Sequence, residues 1–294
     1  MPHAHHASVE SAWVSAGLIV AALIYLGGWL RLRRLDLDSV QAWRVGGFIL
    51  GLFLIWLAIA SPLSALDHES LTAHMVQHLL LMTFAAPLIL LGKPVKALLY
   101  GLSHRLVQVV GRLCQSAGAH RLLSALCHPV ACWMGAASTL IAWHIPGLFA
   151  LGVRSEMWHG LEQASFLVTG LLFWWPVVRP WPGSLKWPES SILLYLFLAT
   201  LPCDILSGFL VFCDRVVYSV YFSSSQPFGL SALEDQQCAG ALMWTCVTVV
   251  YLIAGAIITA RLLSPHGSQE YAIRQSQTQA MAFPKSGAQS MEAF

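Results

Sequence analysis

Seven stretches of this chain, 12–30, 43–60, 70–92, 128–145, 157–178, 190–213 and 236–260, are apolar and close to the length an α-helix needs to cross the hydrocarbon core of a bilayer, about 20 residues. Backbone polar groups in lipid must be satisfied within the protein, so runs this long and continuous dictate helices. The chain therefore reads as all-α, a polytopic membrane helix bundle with seven transmembrane helices over residues 12–262. Composition agrees. Of 294 residues 57% are hydrophobic and 10% charged, against about a quarter charged in soluble domains. A soluble globular domain and a disordered chain are both excluded. A net charge of +2 with scattered Lys and Arg provides no stripe to track phosphates, so nucleic acid is excluded as a partner. The lipid bilayer is the first partner.

The cations orient the bundle. The loops after spans one, three and five and the C-terminal tail hold every Lys and Arg except Arg154 and Arg215. The N-terminus is therefore expected outside and the C-terminus in the cytoplasm, as an odd number of spans requires. Trp13, Trp29, Trp43, Trp143, Trp158, Trp174 and Trp175 fall near span ends, where an interfacial belt belongs. Residues 95–113 carry Lys96, His104, Arg105 and Arg112, with Val95, Leu98, Leu99, Leu102, Leu106, Val109, Val110 and Leu113 on one stripe. That pattern predicts an amphipathic helix on the inner leaflet. Residues 1–11 are expected as an outer arm carrying His3, His5 and His6, and 263–294 as a disordered cytoplasmic tail. Gly47 and Gly51 form a G-x-x-x-G that predicts close helix packing. Pro87, Pro176 and Pro202 are expected to kink or end helices.

Ionisable groups inside spans are costly and usually functional, and here they gather in the outer half. His74 and His78 are four apart and share a helix face, with Met82 one turn deeper. Asp67 joins that stripe if the helix extends outward. His144 ends span four; His159, Glu162 and Gln163 open span five; Asp204 lies in span six; Asp235 opens span seven, with Met243 two turns inside. At 1.5 Å per residue, His78, Gln163 and Met243 lie about 10–12 Å deep and Asp204 about 14 Å. An outward polar pocket built from five helices avoids stranding these groups in lipid.

Neutral imidazole is the commonest metal ligand, and two His at i, i+4 can grip one ion. Imidazole accepts copper or zinc, and thioether selects Cu(I). Carboxylates suit outer positions that fix His tautomers. The bland alternative is a hydrogen-bonded network gluing helices. The four-residue His spacing suits a small ion better than a haem. The seven Cys form no C-x-x-C; Cys213 and Cys238 flank the last outer loop, where a disulfide is conceivable.

Six blocks then occur in order: His74-Met75-Val76-Gln77-His78, Ala86-Pro87-Leu88 with Gly92-Lys93-Pro94, Trp143-His144-Ile145-Pro146, Gly170 through Pro176, Tyr218-Ser219-Val220-Tyr221, and Asp235 through Trp244. In this order they resemble the seven-helix cytochrome c oxidase assembly factor family called CtaG, over about residues 43–262. The resemblance implies an assembly factor of a bacterial inner membrane, not an enzyme, with an oxidase subunit as partner and copper acceptor. It carries over His74, His78, His144 and His159 as copper ligands, with Asp235 and Met243 in the span-seven block. Where relatives often have a second His four residues after the one matching His159, this chain has Gln163.

The expected mechanism is copper held by His74 and His78, completed by His144 and His159, with Met243 or Met82 as an exchangeable ligand. Asp67, Glu162, Gln163, Asp204 and Asp235 line the pocket. Three other readings stand beside it: a zinc-dependent intramembrane hydrolase, a copper or small-cation transporter, and a ligand-free scaffold for an oxidase subunit. Homo-oligomerisation is left open.

Overall fold

The computed structural model describes residues 3–35, 41–103, 106–109, 111, 116–179, 188–222 and 227–264, with backbone alone for 3–10, 117, 120, 123 and 189. Among these residues the chain is helical and has no strand. The helices are α1 (His3–Arg34), α2 (Ala42–Ile59), α3 (Leu63–Leu66), α4 (Leu71–His78), α5 (Ala86–Leu91), α6 (Pro94–Gly101), α7 (Ala117–Leu126), α8 (Pro129–Trp143), α9 (Pro146–Arg154), α10 (Glu156–Val178), α11 (Glu189–Phe212) and α12 (Ala232–Leu263).

Six helical stretches are each long and apolar enough to cross a membrane. A seventh is counted when α8 and α9 are taken as one broken span, bent by 76°. Among the described residues the chain thus has six to seven candidate spans, the pattern of a multi-pass membrane protein. The stretch 128–145 differs from the single straight helix expected there. Ile145 is extended (φ −68°, ψ 124°) ahead of Pro146, because the pyrrolidine ring disfavours helical geometry in the residue before it. The helix therefore stops at Trp143 and restarts at Pro146, leaving His144 at the break.

The third span, Leu71–Leu91, is the axis of the bundle: 56% of its most apolar window is buried, against 11% for the first. It is not one regular helix. A π-helical segment, Leu79–Ala85, separates α4 from α5. Pro87 has no N–H to offer and its ring crowds the carbonyl four residues back, and the backbone widens just ahead of it. Small residues let neighbours close on this axis. Gly51 of α2 lies against Ala85 and Ile89, Gly47 lies against the Leu88 carbonyl, and Gly170 of α10 lies against Met82. The G-x-x-x-G packs as expected. The Met82 carbonyl accepts from the Trp174 indole at 3.0 Å. Pro176 and Pro202 lie inside α10 and α11 rather than ending them.

Of the amphipathic helix expected over 95–113, Pro94–Gly101 is helical and lies directly on α1, and 106–109 and 111 are helical after an interruption at 102–103. Gly28 faces Ala97 and Gly101 faces Ile24, so the two helices run in opposite directions at near backbone contact. Lys93 makes the reversal in a left-handed conformation (φ 48°). The Tyr25 hydroxyl donates to the Gly92 carbonyl at 2.8 Å, and the Arg44 guanidinium to the Leu91 carbonyl at 3.0 Å. His104, Arg105, Val110, Arg112 and Leu113 lie outside the described residues, as does everything after Ser264.

Gly28 tests this contact. A Cβ there meets the Ala97 carbonyl, whereas Gly27 has nothing within 4 Å. G28A is expected to lower stability by about 2 kcal/mol through overpacking. Thermal unfolding in detergent should show a clear drop for G28A and none for G27A.

Candidate metal centre

Asp235 sets the register of the site. Ser70 ends the non-helical approach to α4 and caps it locally. The Asp235 carboxylate, from the first turn of α12, then accepts from the Ser70 hydroxyl at 2.9 Å, the Leu71 N–H at 2.7 Å and the Thr72 N–H at 3.2 Å. A negative group at a helix N-terminus is stabilised by the unpaired N–H groups and the helix dipole. Asp235 therefore does not enter a metal pocket. It positions the helix that carries the His pair. Because α4 starts at Leu71, the helix does not extend outward to Asp67, which instead follows the short α3.

His74, His78 and Glu162 meet in the core, exposed by 1%, 6% and 0%. The two Nε2 atoms are 2.8 Å apart. Glu162 Oε1 is 3.3 Å from His74 Nε2 and 3.2 Å from His78 Nε2. A proton can occupy one edge of this triangle, but a cation faces all three lone pairs. In a tetrahedral zinc-type site with bonds near 2.05 Å, neighbouring donor atoms lie about 3.3 Å apart. Two edges already match, and the His–His edge must open by a few tenths of an ångström. Glu162, expected in an outer position, is in the innermost group. Its other oxygen is buried without a hydrogen-bond partner. Gly152 of α9 makes room for it: a Cβ there would sit 2.5 Å from Glu162 Oε2.

Aromatic rings fix both imidazoles. Phe166 stacks on His78 with centroids 4.1 Å apart, and Phe149 meets His74 edge-on at 4.9 Å. The segment between α11 and α12 closes over them. The Tyr218 hydroxyl donates to the His144 carbonyl at 3.1 Å and the Tyr221 hydroxyl to the Asp67 carbonyl at 2.7 Å. Burial pushes both phenols well above their usual range, so both remain donors at neutral pH. Gln236 ties the same segment down, accepting from the Val217 N–H at 2.7 Å.

The other expected ligands do not join the triangle. His144 Nδ1 lies 2.7 Å from the Leu140 carbonyl. A carbonyl only accepts, so Nδ1 holds the proton and Nε2 presents a lone pair. That Nε2 is buried without a partner, as is His78 Nδ1. His78 and His144 border a cavity of about 50 Å³ that Met82, Met243 and Cys203 also line. His159 Nε2 lies 3.2 Å from Asp67 Oδ2, with the Gln163 amide at 3.1 Å. His68 Nε2 lies 3.5 Å from Asp67 Oδ1. Gln163 also reaches Gln77 Oε1 at 3.4 Å. Asp204 belongs to neither group of ionisable residues; its Oδ1 is buried without a hydrogen-bond partner. Cys213 and Cys238 are free thiols, the latter exposed.

Residues 23–264 match the family described as cytochrome c oxidase caa3 assembly factor (Caa3_CtaG). The chain belongs to this family. It is also similar to uncharacterized proteins of Mycobacterium bovis and Mycobacterium tuberculosis, each 27% identical over 262 residues. A further relative, from Mycobacterium leprae, is 26% identical over 257 residues. In each case the alignment covers 84% of this chain and 38% of the relative. The chain therefore spans well under half the length of the curated relatives it matches. No solved structure matches it.

In this Caa3_CtaG chain, sequence reasoning missed His68, which is adjacent to Asp67 and on no recognisable helical stripe. It also missed Gly152, Tyr218 and Tyr221 as shaping residues. The signals on offer were the adjacency of His68 to Asp67 and the place of Tyr218 and Tyr221 in one of the six ordered blocks. The capping role of Asp235 has a direct consequence. D235A removes three accepted hydrogen bonds, and a loss of about 1–3 kcal/mol is expected, with D235N losing less. Thermal unfolding of the two variants checks this, and an unchanged midpoint for D235A would remove the capping role.

Proposed function

We propose that this chain serves cytochrome c oxidase assembly by holding a copper ion at His74, His78 and Glu162 and passing it to an oxidase subunit. The observation that carries this reading is the convergence of three buried donor atoms with mutual separations of 2.8, 3.2 and 3.3 Å. Buried polar groups normally find partners, and Glu162 Oε2, His78 Nδ1 and His144 Nε2 have none. A cation held by both Glu162 oxygens would answer the first of these.

The donors differ in hardness along the site. The triangle offers two imidazoles and a carboxylate, which accept Cu(II) or zinc. The adjoining cavity is lined by His144, Met82 and Met243, residue types that favour Cu(I). His78 borders both. An ion held by ligands on several helices can leave by giving up one ligand at a time. The cation bias of the loops orients the mouth of the site away from the cytoplasm, in a bacterial inner membrane, where an oxidase subunit can receive the ion. The chain acts as a carrier and holds no catalytic residue in this reading.

A zinc site is the second reading, favoured by the donor set itself. Two His and one carboxylate with an open position is a catalytic zinc arrangement. Metal analysis of the purified chain separates the two. The copper reading expects H74A/H78A to lose about one bound copper equivalent. The same variant, returned to a strain lacking the gene, should fail to restore oxidase activity. Zinc in place of copper would favour hydrolysis, and unchanged copper in the double variant would remove the site. G152A, which pushes a Cβ onto Glu162, should weaken copper binding about tenfold or more by displacing the carboxylate. Competition with a chelator of known affinity measures this.

A further inference from the structure

A second group of metal-ligating side chains lies at the water-facing end of the bundle, apart from the buried triangle. Asp67, His68 and His159 each present one donor atom, all within 4.8 Å of one another. His159 Nε2 is 3.2 Å from Asp67 Oδ2, and His68 Nε2 is 3.5 Å from Asp67 Oδ1. The two imidazoles approach the carboxylate from different elements. Asp67 and His68 lie in the turn between the second and third spans, and His159 lies in the first turns of α10. The rings of His68 and His159 are 5.6 Å apart and nearly edge-on, so their nitrogens converge on the carboxylate rather than stacking over each other.

Burial argues that this is a built site. The Asp67 side chain is fully buried, whereas that of His159 is 12% exposed and that of His68 is 49% exposed. Neither Asp67 oxygen has a hydrogen-bond partner. A carboxylate so enclosed carries a large desolvation penalty. Two imidazoles at 3.2 and 3.5 Å offset it only in part unless they are charged or bridged by a cation. His68 gives the group a face open to water, through which a hydrated ion can arrive and keep water ligands.

We infer that Asp67, His68 and His159 form a second metal site, for a divalent cation of borderline hardness such as Cu(II) or Zn(II). Two imidazoles and one carboxylate are the donors those ions prefer, and the group itself contains no thioether or thiol to select Cu(I). The site is a neighbour of the buried one: the His159 and His74 rings are stacked with centroids 5.7 Å apart. It stands on its own residues and does not depend on the buried triangle taking an ion.

Equilibrium dialysis of the full chain in detergent, against Cu(II) or Zn(II) with metal quantified, tests it. The background H3A/H5A/H6A removes the imidazoles of the N-terminal segment. In that background about two ions per chain are expected, falling to about one in H68A and about one in H74A/H78A. His68 is exposed at the surface, so H68A is expected to leave the fold intact, which far-UV circular dichroism checks. Retention of about one ion by H74A/H78A, lost on adding H68A, supports the outer site even if the buried one fails. An unchanged ion count in H68A, whether the total is one or two, overturns the outer site and leaves the buried one standing.

Discussion

A carboxylate with no exposed surface, set inside a bundle of membrane helices, is the constraint on which the rest of this structure depends. Glu162 is completely buried, and an ion taken out of water loses several kcal/mol unless partners replace its hydration. Those partners are His74 and His78, one turn apart on the most enclosed span. Everything around them holds that meeting in place. Asp235 caps the helix bearing the imidazoles, Phe149 and Phe166 limit their rotation, and Gly152 leaves space for the second carboxylate oxygen. The site is thus pre-organised from four directions by groups that do not themselves offer a ligand.

Backbone irregularity serves the same end. The third span changes to a π-helical turn immediately after His78, and the fourth breaks immediately after His144. Non-helical backbone at membrane depth is tolerated only where protein or a cavity surrounds it, and both irregularities border the one cavity described above. Each has a proline as its cause, Pro87 in one case and Pro146 in the other. The carbonyls involved are recovered by side chains from other elements: Trp174 takes Met82 and Tyr218 takes His144. Among the ionisable groups His68 is half exposed, whereas Asp67, His74, His78, His144 and Glu162 are all buried.

Much of the fold was legible in the residues. The apolar stretches marked the spans, because length and lack of charge alone decide what can cross a bilayer. The helical spacing of His74 and His78 put them on one face, and that is how they stand. The pocket was less legible. Residues at one depth were grouped together, yet His159 turns to Asp67, Asp204 stands apart and Asp235 caps a helix. Depth along an axis says nothing about rotation around it, and rotation decides which partner a side chain meets. Glu162, expected to line the pocket, stands within hydrogen-bond distance of both imidazoles.

By itself, then, the amino-acid order determined that the chain crosses a membrane repeatedly, that its ionisable groups cluster near one end, and that it resembles an oxidase assembly family. These follow from one-dimensional quantities: hydropathy, spacing and motif order. Tertiary structure alone decided which imidazoles and carboxylates meet. Only the packing of α4 against α10 and α12 sets the few-ångström separations that distinguish a ligand set from a row of polar residues, and those separations depend on the rotation and tilt of helices far apart in the chain.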